Sequence, residues 1–173
     1  AAGEPNQVSI SVSKKNYTHD MIMRTGKFTV SSLTEKADFS LFKRFGFQSG
    51  KDNDKFLGFD GWLRGINGVP YITESCNAYI SVKVEKTVDL GSHTLFIGEV
   101  TDMEVLSEDS SVTYEFYQKN IKPKPEKVGT TPKGETVWRC IICGYEYVGE
   151  ELPEDFICPW CKHPASDFEK IVR

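Results

Sequence analysis

Two Cys-x-x-Cys pairs near the C-terminus constrain this chain more than any other feature. They read Cys140-Ile-Ile-Cys143 and Cys158-Pro-Trp-Cys161. Each pair can wrap a tight turn around one metal ion, and together they supply four thiolates. A tetrahedral sulfur site of this kind suits zinc or iron. Zinc makes it a structural clip, and the spacing is very close to that of a zinc ribbon. Iron makes it a redox device, and the flanking residues favour iron. Gly144 follows the first pair, where a knuckle turn needs positive φ and lets backbone N–H groups approach sulfur. Trp138, Tyr145, Tyr147, Phe156, Trp160 and Phe168 crowd the site, an apolar shell that keeps water from sulfur and tunes a reduction potential.

The rest of the chain sets the frame. Its 173 residues allow one medium domain plus a small module that metal must hold together. The fifth cysteine, Cys76, precedes an apolar run and is read as a small buried residue. Unpaired cysteines in ligand spacing and the lack of a long apolar segment point to a soluble, cytoplasmic protein with no membrane partner. The net charge is -4, and residues 136–173 hold four basic and seven acidic side chains, so no nucleic-acid partner is expected. Such a surface can instead meet a basic patch on a redox partner.

Residues 119–135 carry three prolines and five lysines and read as an extended linker between domains at 1–118 and 136–173. Ahead of it, residues 8–12, 28–31, 78–84 and 93–100 alternate or run apolar in strand fashion. Thr18 is expected to cap a helix through Met23, and residues 37–45 to form another. Many short strands with few helices predict a mainly β, antiparallel barrel. There is no P-loop, GxGxxG or GxSxG, and His19, His93 and His163 are scattered. The glycines of residues 45–56, with Ser49 and Lys51, could line an anion site or form a surface turn.

The cysteine segment, with CxxCGYEY and then PEDFICPWCKHPASDFE, resembles the short rubredoxins of rubrerythrin-like proteins. That resemblance implies one iron held by Cys140, Cys143, Cys158 and Cys161, and Lys162, where many rubredoxins have a second glycine, is expected in a strained left-handed turn. Residues 5–117 resemble the flavin reductase family, through VSISVSKKNYTHDMIMRTGKFTVSSL, FGFQSGKDNDKF, and DLGSHTLFIGEV followed by TYEFY. This implies an FMN-binding split β-barrel, a homodimer, and NADH or NADPH as electron donor. Lys15 and Asn16 are then expected at the flavin ring or phosphate, and Ser49, Gly50 and Lys51 near the flavin or the dimer interface. Where the family often has arginine, Lys51 offers a point charge. His93 matches the histidine kept near flavin and nicotinamide and is the expected catalytic residue, while Tyr114 and Tyr117 are expected to flank the ring. The order of the two parts is similar to high-molecular-weight rubredoxins of anaerobes, which implies a flavodiiron protein as electron acceptor. The family also carries first strands and a flavin-phosphate loop ahead of the position of Glu4, so the native protein is expected to extend beyond Ala1.

Overall fold

The computed structural model describes residue 4 and residues 6–51, 53–123 and 136–172. They fall into two compact units, one made of Ala1–Ala37 with Ser49–Ile121, the other of Asp38–Gln48 with Lys122–Arg173. The units therefore do not follow chain order. A short helical segment that lies early in the sequence joins the C-terminal module.

In the first unit, strands β1 (Gln7–Ser13), β2 (Lys27–Leu33), β5 (Cys76–Asp89) and β6 (His93–Val105) form one antiparallel sheet in the order β1-β6-β5-β2. All four strand expectations are met here. Alternation dictates the inner face: Phe28, Val82 and Phe96 are buried, with Val8, Ile10, Val12, Ile80 and Val84 packed around them. The β5–β6 hairpin dominates, with 14 and 13 residues. Its register shifts at Ser81/Val82 and Val84/Lys86, and such bulges curl a long ribbon into a half-barrel. A small ribbon, β3 (Trp62–Arg64) with β4 (Pro70–Ile72), closes against it. The Ile72 N–H donates to Ser31 Oγ at 2.9 Å, and Tyr71 stacks on Tyr79 at 3.9 Å. The Tyr79 hydroxyl donates to Asp102 at 2.8 Å, and that bond with burial pushes the phenol up to about 12.

Helix α1 (Tyr17–Thr25) places Ile22 on the inner face of the sheet. Its N-cap position is Asn16, two residues before the expected Thr18 cap, with no side-chain cap bond. The Asn16 N–H already bonds Ser13 O at 3.0 Å, so the turn leaving β1 hands the chain to the helix early. Cys76 is buried, and its thiol donates to Ala78 O at 3.1 Å, in line with a packing role. A short helix, α3 (Tyr114–Phe116), runs into a π-helical turn at Tyr117–Ile121. Residues 119–121 of the expected linker are thus helical, and its residues 124–135 lie outside the described residues. Among the described residues no helix is long and apolar enough to cross a membrane.

The second unit holds a three-stranded sheet, ordered β8-β7-β9, from β7 (Thr136–Cys140), β8 (Glu146–Val148) and β9 (Phe168–Val172). Helix α2 (Phe39–Gly46) belongs to it and matches the helix expected at 37–45. Its N-cap Asp38 accepts from the Ser40 N–H at 2.7 Å, and hydrogen bonds from the Ser40 hydroxyl and then from this N–H lower the Asp38 pKa.

Gly98 tests the curl of the hairpin. A Cβ there would lie 2.4 Å from the Lys83 carbonyl oxygen and 2.6 Å from Val82 Cγ1. Gly98→Ala is expected to cost about 1–3 kcal/mol through forced displacement of β5, read as a lowered unfolding midpoint. An unchanged midpoint would show that the two strands are not in close contact there.

Candidate metal centre and flavin-side residues

The four cysteines converge as the spacing requires. Cys140 Sγ lies 3.6 Å from Cys161 Sγ, and Cys143 Sγ lies 3.5 Å from Cys158 Sγ. All four sulfurs lie within 4.8 Å of one another and are buried. Metal–sulfur bonds of about 2.3 Å in a tetrahedron put sulfurs roughly 3.8 Å apart, so the cage is of the size for one tetrahedral ion.

Two equivalent knuckles build the cage. In the first, the Gly144 N–H donates to Cys140 O at 2.8 Å and the Cys140 N–H to Tyr145 O at 2.8 Å. In the second, the Lys162 N–H donates to Cys158 O at 2.9 Å and the Cys158 N–H to His163 O at 2.8 Å. Gly144 has φ 75° and Lys162 φ 63°, as the sequence required. Backbone N–H groups turn onto sulfur in both: Tyr145 onto Cys143, His163 onto Cys161, and Trp160 and Cys161 onto Cys158. These donors stabilise negative charge on the thiolates.

Burial pushes the Cys143 thiol up to about 12 and Cys161 up as well. It acts in the same direction on Cys158, but the N–H groups of Cys161 and Trp160 outweigh it and hold that thiol below its ordinary value. Protons therefore compete with a metal for this cage, and metal retention falls as pH falls.

An aromatic shell surrounds the sulfurs. Phe168 is buried among them, and Trp138, Tyr145, Leu152, Phe156 and Trp160 pack on the cluster. Tyr145 meets Trp160 edge-on at 5.3 Å, and Phe156 meets Phe168 at 5.4 Å. Phe47, which follows α2, also packs on the cluster, and Phe39 meets Trp160 at 5.6 Å. The sequence carried a sign of this in the closely spaced aromatics of FSLFKRFGF, but nothing that named their target.

The residues expected near the flavin divide into two groups. Lys15 and Asn16 sit in the turn between β1 and α1. A Cβ on Gly50 would lie 3.7 Å from the Tyr17 ring, so Ser49, Gly50 and Lys51 come to the start of α1 beside that turn. His93 opens β6, opposite Ser13 in the register, and the Lys14 N–H donates to Ser92 O at 3.0 Å. Its Nδ1 lies 2.9 Å from Ser92 Oγ, and the side chain is exposed. These residues share one end of the sheet. Their ammonium, amide, hydroxyl and backbone N–H donors are of the kind that hold a phosphate-bearing cofactor. Tyr114 and Tyr117 lie elsewhere. Val112 N–H donates to Leu33 O, and Leu33 pairs with Cys76, at the opposite end of β5 from the Asp89–Thr94 pair beside His93. Their rings are 6.4 Å apart, and Tyr114 is 79% exposed. His19 is a packed histidine, its Nε2 2.9 Å from Thr94 Oγ1 and its ring 5.7 Å from Phe96.

A curled half-barrel joined in one chain to a four-cysteine cage defines an electron-transfer oxidoreductase. The flavin reductase like domain matches residues 1–124, and the rubrerythrin, rubredoxin-like domain matches residues 138–169. The chain belongs to the flavin reductase like family and carries a rubredoxin-like metal domain. A high molecular weight rubredoxin of Moorella thermoacetica is 33% identical over 199 residues, spanning 97% of this chain and 84% of that protein. A ferric-chelate reductase (NAD(P)H) of Archaeoglobus fulgidus is 36% identical over 135 residues, spanning 78% of this chain and 76% of that protein. The solved structure of an FMN-binding protein from Thermus thermophilus with bound 1-cyclohex-2-enone superposes with a TM-score of 0.55 at 25% identity. That match covers 61% of this chain and 57% of the other, so the chain spans less than two thirds of that structure.

The two knuckles respond oppositely to substitution. Lys162→Gly removes a side chain from a left-handed backbone and is expected to stabilise the metal-loaded module by about 1 kcal/mol. Gly144→Ala is expected to cost about 1–2 kcal/mol, since its Cβ also meets Lys122 Nζ at 3.1 Å. Denaturant midpoints of the metal-loaded protein measure both, and equal midpoints would contradict the left-handed turns.

Proposed function

We propose that this chain is an NAD(P)H-dependent oxidoreductase that passes electrons by way of FMN to one iron held by Cys140, Cys143, Cys158 and Cys161, and on to a protein acceptor such as a flavodiiron protein. The observation that carries this reading is the sulfur cage, sized for one tetrahedral ion, in the same chain as a flavin reductase like domain. When bound, the flavin accepts electrons in pairs and releases them singly, and the iron takes up one at a time. Lys15 and Lys51 supply positive charge for the cofactor phosphate, with Asn16, Ser49 and the Gly50 backbone as hydrogen-bonding partners. His93 orients the nicotinamide, its imidazole held by Ser92 Oγ at the mouth of the hairpin. In a homodimer, Tyr114 and Tyr117 serve the ring bound by the other copy, which accounts for their place at the far end of β5. The acidic C-terminal module offers a surface to a basic acceptor. The reducing cytoplasm keeps the four thiols available for metal.

Two substitutions test the reading. Cys143→Ser is expected to abolish the iron site, leave flavin reduction by NADH nearly intact and collapse transfer to a flavodiiron acceptor. An equal fall in both rates would contradict a relay of two parts. His93→Ala is expected to keep flavin bound but slow its reduction by NADH at least about tenfold, a loss of roughly 1.4 kcal/mol in transition-state stabilisation. An unchanged rate in folded protein would assign His93 a structural role.

A further inference from the structure

Helix α2 lies inside the stretch matched by the flavin reductase like domain, yet its aromatic residues pack in the metal module. Residues 138–169, the rubredoxin-like match, supply most of the apolar shell around the sulfurs. Phe47 packs on the cysteine cluster from outside that match. Phe39 meets Trp160 edge-on at 5.6 Å and Phe47 at 5.8 Å, so the two phenylalanines form one continuous plate. Trp160 lies within the second knuckle, between Cys158 and Cys161, and meets Tyr145 beside the first. The helix is firmly set for this role. Asp38 caps it, Leu41 is buried, and the Phe47 N–H donates to Lys43 O at 3.2 Å.

We propose that α2 is a functional part of the four-cysteine site: Phe39 and Phe47 complete its water-excluding shell and thereby set the reduction potential and the metal retention of the centre. The proposal rests on the iron reading above. With iron held by the four thiolates, uptake of one electron would take the net charge of the site from −1 to −2. No bond forms or breaks, and no proton moves. A low-dielectric shell disfavours the dianion more than the monoanion, so the plate lowers the potential. Removing part of it admits water, favours the ferrous form and opens a route for the ion to leave. Phe39 and Phe47 act through Trp160 and the cysteines and are positioning residues, not ligands.

The test uses the full chain loaded with iron, with dithionite and redox mediators as electron source. Phe39→Ala and Phe47→Ala are each expected to raise the ferrous-to-ferric ratio at a fixed ambient potential about threefold. That is a positive shift of about 28 mV at 59 mV per tenfold for one electron. Iron loss to an added chelator is expected to quicken by a similar factor. Ile66→Ala, at an 82% exposed position in the other unit, should move neither quantity. If an alanine variant fails to fold, Phe39→Leu and Phe47→Leu take its place, with a smaller shift expected in the same direction. Folded variants with the parent's potential and the parent's rate of iron loss would overturn the proposal. Failure of the iron reading looks different: the parent protein itself takes up no iron and shows no ferric–thiolate absorption, which overturns both.

Discussion

The C-terminal module depends on the convergence of four sulfur atoms. Its sheet is three short strands, and its buried residues among those described are Leu41, Val137, the four cysteines and Phe168. A core of that size does not offset the conformational entropy of the chain. A metal bound to four thiolates does, because its binding energy is also folding energy. Everything else in the module serves the cage. The knuckles aim backbone N–H groups at sulfur, the left-handed residues turn the chain after each pair, and the aromatics exclude water. The same features that hold the ion also stabilise its charge, so structure and redox chemistry rest on the same contacts.

The other unit solves a different problem. Its long hairpin provides most of the sheet, and bulges at Ser81/Val82 and Val84/Lys86 convert a flat ribbon into a curled one. Gly98 permits the close approach of Lys83 and Val82 that this curl requires. The tight end of the hairpin then carries His93 next to the turn with Lys15 and Asn16. Residues far apart in sequence meet at one end of the sheet because β1 pairs with β6 along its whole length.

Local signals were legible in the sequence, and long-range placement was legible only in part. The Cys-x-x-Cys spacing reported the cage, and the residues after each pair reported the left-handed turns, because both are decided within a few residues. Alternation reported the strands for the same reason. The start of α1 lies two residues earlier than the Thr18 cap implied, because a backbone bond from Asn16 to Ser13, and not the Thr18 hydroxyl, sets it. The place of α2 was not legible at all. Its capping Asp38 and apolar stripe announce a helix, but an apolar stripe does not name the surface it covers. Nor could spacing show that Tyr114 and Tyr117 lie at the opposite end of β5 from His93, since that follows from the register of four strands.

The central claim is that nicotinamide electrons reach an iron held by these four cysteines within this protein. Anaerobic addition of NADH or NADPH to iron- and FMN-loaded protein, followed by visible spectroscopy with metal analysis of the same sample, tests it most directly. The account predicts one iron per chain and ferric–thiolate absorption that bleaches on addition of the nucleotide, without any other reductant. Stoichiometric zinc in protein made with ample iron would contradict it. So would an iron centre that dithionite bleaches and neither nucleotide does.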